Sequence, residues 1–356
     1  MDLWTRYARD LTEAWSGLAG DLSGRADARP PPELATTPRD VVASEGTARL
    51  YRFVGDGPRR GGAPLLLVPS LINRWYVLDL RPGASLVAAL VGAGLDVFCL
   101  DWGAPEDEDR YLGWDDVLAR LGRMVRRTMR SAGSDRLGIL GYCMGGTLAA
   151  IHTALHPEQV VALANLAGPI DFIRGGALTH MVDRRWFDAD AIAQAGNVAP
   201  EQMQAGFTAL RPMMELSKLV SLPGLAADPA AKASFRALEA WAADNIAFPA
   251  AAYRTYIGEL YQANRLIAGT HRALGRQVDL GAIRCPALAI VADRDQICPP
   301  AAATALLEHV TTTDTTTLRV PGGHVGAVVG NRAARDLYPK VAEWFGSRLA
   351  SGGLPH

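Results

Sequence analysis

The chain has 356 residues, 49% of them hydrophobic, which is enough for one large globular domain or two and excludes general disorder. Its 36 basic and 37 acidic residues give a formal net charge of −1, which provides no general attraction to nucleic acid or to an anionic membrane. The four cysteines form no C-x-x-C pair, so neither a disulfide framework nor a zinc site is predicted, and a reducing, cytoplasmic setting fits best.

The first 40 residues are predicted to form an amphipathic helix followed by a proline-rich linker. Residues 3–18 carry large apolar side chains at helical spacing, and residues 23–38 are rich in proline. We favour packing of this helix on the body of the protein, with docking to a partner or an apolar surface as the alternative. No signal peptide is predicted, and no apolar window of about 18 residues indicates a transmembrane segment.

The rest of the chain alternates short apolar runs with helical patterns. Helices are predicted over residues 85–94 and 115–130. The predicted strands are 47–54 at the sheet edge, 65–68, 96–100, 137–140, 160–166, 287–292 and 316–320. Such alternation predicts a mostly parallel central sheet with helices on both of its faces.

The most informative motif is GYCMGG, residues 141–146, between a predicted strand and an alanine-rich helix. Its G-x-C-x-G pattern matches a nucleophile elbow with cysteine in the usual serine position, and its glycines permit a strained turn. We predict that Cys143 is the nucleophile, that its thiolate is favoured at the helix N-terminus, and that the backbone N–H of Met144 stabilises the oxyanion. A buried structural cysteine is the alternative interpretation.

The loop after the strand at 65–68 is predicted to donate the second oxyanion N–H. We assign this donor to Ile72, with Leu71 as the near alternative. Ser70 lies in the same loop, but no elbow sequence surrounds it, so we interpret it as a loop residue.

Two later strand ends carry the residues that activate such a nucleophile. We prefer Asp295 over Asp293 as the acid, because its D-x-x-x-P spacing places it in the turn before a helix. His324 follows the last predicted strand in a glycine-flanked loop. Because nucleophile, acid and histidine occur in this order at strand ends, the sequence predicts an α/β-hydrolase fold with the triad Cys143, Asp295 and His324.

Other polar clusters are weaker candidates for a site. His152 and His156 are one helical turn apart, but no third ligand lies nearby in the sequence, so neither a metal nor a cofactor is predicted. We interpret Arg126, Arg127 and Arg130 as a solvated helix face rather than a phosphate-binding patch.

More than a hundred residues separate the predicted strands at 160–166 and 287–292, although one crossover helix needs far fewer. The predicted organisation is therefore an N-terminal segment (1–40), a catalytic core (41–170 and 280–350) and a helical cap inserted in the core (171–279). A cap would exclude water from an acylated cysteine and shape an acyl pocket.

Cysteine also suits acyl transfer, because a thiol that attacks a thioester forms a second thioester of nearly equal energy.

Residues 40–347 resemble the polyhydroxyalkanoate synthases, most closely in length the catalytic subunit of the class III type. The motifs in register are LLLVPSLINRWYVLDL, LDVFCLDWG, LGYCMGGTLA, RPMMELSKL, NIAFPAAAYRTYIGELYQANRL, VADRDQICPP and VPGGHVGAVVG. Two features depart from that pattern: Gln296 stands where the family commonly has histidine, and the loop 69–80 is more similar to that of the long class I enzymes.

The resemblance implies an (R)-3-hydroxyacyl-coenzyme A substrate and a polyester product that collects in cytoplasmic granules. By this resemblance, Cys143 is the residue that is acylated, His324 is the base, and Asp295 assists activation of the 3-hydroxyl of the incoming acyl group. It also implies a location at the granule surface and a second, non-catalytic subunit, a homodimer, or both. A cysteine-dependent thioesterase or ester hydrolase is the alternative enzyme, and a catalytically idle subunit that binds granules or a partner is the non-enzymatic alternative.

Overall fold

The computed structural model describes residues 31–350 except 56, 60, 211–228 and 331. Within them, eight strands form one sheet: β1 (Arg39–Glu45), β2 (Ala48–Phe53), β3 (Leu65–Val68), β4 (Val97–Asp101), β5 (Leu137–Tyr142), β6 (Val160–Leu166), β7 (Ala287–Ala292) and β8 (Thr315–Val320). Their spatial order is β1-β2-β4-β3-β5-β6-β7-β8. The β1–β2 and β2–β4 pairs are antiparallel and the remaining pairs are parallel, which confirms the predicted sheet.

Helices connect the strands and make up much of the described chain between β6 and β7. They are α1 (Leu86–Gly92), α2 (Trp114–Ala132), α3 (Met144–Leu155), α4 (Ala177–Met181), α5 (Ala189–Gln194), α6 (Pro200–Ala209), α7 (Pro229–Ala243), α8 (Ala250–Thr255), α9 (Pro300–His309), α10 (Gly326–Val329), α11 (Ala333–Asp336) and α12 (Tyr338–Leu349). A π-helix, Tyr256–Gln262, continues α8. None of the helices in the described ranges has the length and apolarity that a membrane span requires.

Alternate residues of β3 enter two separate hydrophobic cores. Leu66 and Val68 pack with residues of α2 and α3 on one face of the sheet, whereas Leu65 and Leu67 pack with residues of α1 and α12 on the other. All four side chains are fully buried. Because both faces of the sheet are covered by helices, this strand is a continuous apolar run in the sequence.

The edge of the sheet differs from the prediction. The strand expected at the edge, β2, lies between β1 and β4, and β1 is the edge strand instead. The β1 sequence, RDVVASE, has charged residues at both ends and a register shift between Val41 and Ala43. A bulge of this kind interrupts the alternation of polar and apolar residues by which an edge strand is recognised in a sequence.

Most of the described chain between β6 and β7 is helical, as its sequence pattern indicates. It also contains a small hairpin, Arg272–Ala273 paired with Arg276–Gln277. A second small hairpin, Asp79–Arg81 paired with Ala84–Ser85, precedes α1. The amphipathic helix predicted at 3–18 and the RPMMELSKL motif lie outside the described residues.

Candidate active site

Cys143 occupies a strained turn between β5 and α3. Its backbone has φ 56° and ψ −129°, a conformation that non-glycine residues rarely adopt. Its amide donates a 2.9 Å hydrogen bond to the carbonyl of Leu166 in β6, which fixes the turn to the sheet. The side chain is only partly buried, unlike the other three cysteines. This is the geometry of a nucleophile elbow, and it does not fit a buried structural cysteine.

Two glycines of the elbow are required by close packing. A Cβ at Gly141 would overlap the carbonyl of Gly145, and a Cβ at Gly145 would overlap the carbonyl oxygens of Val68 and Pro69. The first turn of α3 therefore packs directly on the end of β3 and on the loop that follows it. Glycine is needed here because it is the residue that allows two backbone segments to approach this closely.

His324 and Asp295 form a buried pair on the loops after β8 and β7. Nδ1 of His324 lies 2.7 Å from Oδ2 of Asp295, and each residue is 5% exposed. The other carboxylate oxygen, Oδ1, accepts 2.9 Å hydrogen bonds from the amides of Ile297 and Cys298. The ring of His324 also stacks on Tyr142, with 5.4 Å between ring centroids. These contacts fix the ring and leave Nε2 as the nitrogen available for proton transfer.

The charges of Cys143 and His324 are coupled. Burial by itself lowers the pKa of His324, but the Cys143 thiolate and the Asp295 carboxylate together raise it to about 10. A thiolate at Cys143 would therefore stabilise the protonated form of His324. Nε2 is buried and has no hydrogen-bond partner among the described residues.

Asp293, the competing acid, lies in a different environment. Its carboxylate forms a 2.8 Å ion pair with Arg319, and its side chain is 45% exposed. It therefore serves a surface contact, whereas Asp295 contacts His324. Ser70 is buried in the loop after β3, and its hydroxyl has no hydrogen-bond partner within the described part of the chain.

The two predicted oxyanion donors lie in adjoining backbone segments. Met144 is the first residue of α3, and Ile72 lies in the turn after β3, the loop on which the start of α3 packs. Leu71, the near alternative, is in the same turn and is equally buried. The choice between Ile72 and Leu71 stays a prediction.

Sequence reasoning missed two tyrosines that belong to the same hydrophobic core as Met144, the residue after Cys143. Tyr256 and Tyr261 are buried with 5.3 Å between their ring centroids. Burial raises the pKa of both hydroxyls, and nearby groups, Cys143 among them, raise it further. A spacing of five residues separates side chains widely around an α-helix but brings them together in a π-helix, whose hydrogen bonds span five residues. The hydrophobic pattern contains no signal for a π-helix.

The weaker candidates take no part in this site. The rings of His152 and His156 are 4.9 Å apart, and no cluster of three or more metal-ligating side chains occurs among the residues that the structure describes. Arg127 donates to the carbonyl of Ser44 at 3.0 Å, so this member of the arginine group helps to hold β1.

Comparison with known proteins first identifies the class. Residues 63–330 match the family model described as the alpha/beta hydrolase fold. A solved hydrolase from Pseudomonas aeruginosa PA01 superposes with a TM-score of 0.52 over 86% of this chain and 98% of that chain; at 18% identity this likeness concerns the fold alone. The chain is thus an α/β hydrolase by fold, as its elbow and sheet order indicate.

The particular family follows from closer relatives. Residues 3–90 match the model described as the N-terminus of poly-beta-hydroxybutyrate polymerase (PhaC). The poly(3-hydroxyalkanoate) polymerase subunit PhaC of Haloferax mediterranei is 33% identical over 93% of this chain and 68% of its own length. The protein of the same name from Allochromatium vinosum is 32% identical over 89% of this chain and 90% of its own length. This chain belongs to the PhaC family of poly(3-hydroxyalkanoate) polymerases.

Proposed function

We propose that this chain polymerises (R)-3-hydroxyacyl-coenzyme A into a polyester through a thioester on Cys143. The observation that carries the proposal is the position of Cys143 on a strained elbow, electrostatically coupled to the buried His324–Asp295 pair. Membership of the PhaC family supports the substrate class. The class III assignment remains an expectation from chain length.

In the first step, the Cys143 thiolate attacks the carbonyl carbon of the acyl-coenzyme A thioester. The developing oxyanion accepts hydrogen bonds from the backbone amides of Met144 and Ile72. Collapse of this intermediate breaks the bond to the coenzyme A sulfur, which takes a proton from His324. The products are free coenzyme A and an acyl thioester on Cys143.

In the second step, the 3-hydroxyl of another hydroxyacyl group attacks the Cys143 thioester. His324 takes the hydroxyl proton as the new C–O bond forms, and the C–S bond then breaks to restore the cysteine. Asp295 orients the ring and stabilises its protonated form. A hydroxyl needs a base more than a thiol does, so Asp295 matters most in this step.

We assign residues 171–279 to a cap over this site. Buried Tyr256 and Tyr261, together with Phe172, form an aromatic cluster in the same hydrophobic core as Met144, with 4.7 Å between the rings of Phe172 and Tyr261. Such a cluster excludes bulk water, which would otherwise hydrolyse the acyl thioester. A polymerase and a thioesterase share the first step, acylation of the cysteine. They differ in whether water or a hydroxyacyl group reaches the acyl thioester, and the proposed cap would control this.

We further propose that the chain acts at the surface of cytoplasmic polyester granules, with a second, non-catalytic subunit, as a homodimer, or both. The relatives from Haloferax and Allochromatium are each named as a subunit, which supports a multi-subunit enzyme.

The decisive experiment supplies (R)-3-hydroxybutyryl-coenzyme A and follows free thiol, free acid and turbidity together. A polymerase releases thiol with little free acid and with rising turbidity, and an acyl group without the 3-hydroxyl acylates Cys143 once and then stalls. Stoichiometric free acid without insoluble polymer, even with a partner subunit present, would move the assignment to a thioesterase. Cys143→Ala gives the background for all three signals.

A further inference from the structure

The loop after β3 is tied to a distant segment at the end of α7. Residues 72–76 of the loop contact residues 241–246 through side chains and backbone, although about 170 residues separate them in the chain. The loop carries Ile72, the predicted second oxyanion donor. The structure thus connects the oxyanion loop to the segment between β6 and β7.

Asp244 is at the centre of this connection and uses both carboxylate oxygens. Oδ1 accepts a 3.0 Å hydrogen bond from Nε of Arg74, and Oδ2 accepts a 2.7 Å hydrogen bond from the hydroxyl of Tyr76. Burial and the Asp244 carboxylate both raise the pKa of Tyr76, so its hydroxyl remains a donor at neutral pH. One carboxylate therefore fixes two side chains that flank Trp75.

Neighbouring contacts hold the backbone of the same loop. The amide of Ile246 donates to the carbonyl of Ile72 at 3.4 Å, and the indole N–H of Trp241 donates to the carbonyl of Arg74 at 3.0 Å. Between them, the Asn73 side chain donates to Oδ1 of Asn245 at 2.6 Å. Three consecutive loop residues, 72–74, are each held by residues 241–246.

The loop has a separate anchor in the core of the protein. Trp75 is buried against Tyr51 and Phe53, with ring centroids 5.0 and 5.9 Å away. Asp244, in contrast, has a side chain that is 45% exposed. Burial of Trp75 therefore holds the loop against the core, whereas the contacts of Asp244 set the orientation of the loop.

We infer that Asp244 is a positioning residue for acylation: through Arg74 and Tyr76 it fixes the loop that carries Ile72, and with it the second oxyanion donor. The inference rests on the proposed function in that it assumes acylation of Cys143. An oxyanion donor stabilises the transition state far more than the bound substrate, so loss of its alignment lowers the acylation rate constant and leaves KM nearly unchanged.

The test compares two reactions of Cys143 in an Asp244→Asn variant of the full chain. Single-turnover acylation by (R)-3-hydroxybutyryl-coenzyme A forms an oxyanion, whereas alkylation by iodoacetamide is a displacement at saturated carbon and forms none. We expect acylation to slow by about 10- to 100-fold, the range for a misaligned donor. Alkylation, followed by mass spectrometry of the Cys143 peptide, should stay within about twofold of wild type.

Two further variants sharpen the test. Tyr76→Phe should also slow acylation. If both residues act through their shared hydrogen bond, the double variant of Asp244→Asn and Tyr76→Phe should be no slower than the slower single variant. Asp314→Asn is the matched control, because Asp314 also has a half-exposed side chain and uses both carboxylate oxygens, at 2.7 and 3.2 Å, to accept hydrogen bonds from Arg348 of α12, outside the proposed cap. It should acylate at the wild-type rate.

Asp244→Asn at the wild-type acylation rate, or an equal loss of acylation and alkylation, would overturn the inference. The second result would mean that Asp244 acts on the cysteine or on the fold. Wild-type protein that gains no acyl mass on Cys143 would instead reject the proposed function. The measurement on wild-type protein therefore distinguishes a failure of the inference about Asp244 from a failure of the proposed function.

Discussion

Asp295 divides its carboxylate between its own turn and the ring of His324. Oδ2 lies 2.7 Å from Nδ1 of His324, while Oδ1 accepts two 2.9 Å hydrogen bonds from backbone amides of the turn. Rotation of the carboxylate would break both backbone hydrogen bonds, so the orientation of the acid is set by the main chain. The fixed carboxylate of Asp295 in turn orients the imidazole of His324.

Asp295→Asn should slow the transfer step more than the acylation step. The amide keeps the shape of the side chain but removes its charge and favours the wrong tautomer of His324, which we expect to reduce steady-state coenzyme A release by about 100-fold or more. Single-turnover acylation should fall much less. Asp293→Asn removes a half-exposed ion pair with Arg319 and should change neither rate by more than about twofold. The reverse order of the two variants would show that the acid is misplaced.

Cys143→Ser should abolish polymerisation and leave at most slow hydrolysis. The hydroxyl is a weaker nucleophile than a thiolate, and an ester on serine conserves less acyl activation than a thioester. The measurement is turbidity and free acid with (R)-3-hydroxybutyryl-coenzyme A, together with circular dichroism to verify the fold. Cys143→Ala should be folded and inactive. Polymerisation by the serine variant at the wild-type rate would contradict the thioester mechanism.

The sequence predicts the parts of the fold that depend on local patterns. The predicted strands at 160–166 and 287–292 have the boundaries that the structure shows, because both are fully buried and apolar except for Asn165. The elbow is predictable from the glycines around Cys143. The bounds of β1 are not, because its bulge and charged ends hide its alternation.

Long-range polar contacts without a motif could not be predicted in the same way, unlike the contact of Asp295 with His324, for which strand ends and motif order provide the signal. Nothing in the pattern around Arg74 indicates that its partner, Asp244, lies 170 positions away. The aspartates at 293 and 295 lie in the same turn, and the structure shows their different partners, Arg319 for Asp293 and His324 for Asp295. The pairing of Tyr256 with Tyr261 depends on a π-helix, which follows from packing and not from hydrophobic period.

His152 should make the protein sensitive to mild acid. Burial, and then the neighbouring His156 and Arg126, lower the pKa of His152 to about 3. Below the unfolded pKa of about 6.5, the unfolded chain binds a proton that the folded chain rejects, so stability decreases as pH falls from 6.5 toward 3. At pH 5 this histidine should cost about 2 kcal/mol relative to neutral pH.

The measurement is the free energy of urea unfolding at pH 7.5 and pH 5.0. His152→Leu should lose about 2 kcal/mol less than wild type between the two pH values. His180→Gln, which replaces an exposed histidine, should show the full wild-type decrease. An equal decrease in wild type and His152→Leu would assign the acid sensitivity to other groups.

Gly145→Ala should destabilise the elbow, whereas alanine at a helical glycine with free space should not. A Cβ at position 145 would overlap the carbonyl oxygens of Val68 and Pro69, which belong to the end of β3 and its loop and cannot move without disturbing that strand. We expect a loss of about 2–4 kcal/mol in the free energy of unfolding, and a loss of acylation because Cys143 is displaced.

Gly206, in α6, is the matched control for this substitution. A Cβ added there would meet no neighbouring group of the described chain within 4 Å, so Gly206→Ala should gain up to about 1 kcal/mol from helix propensity. Urea unfolding of both variants measures the difference. Equal midpoints would mean that the elbow tolerates a side chain at Gly145, where the close approach of α3 to β3 should exclude one.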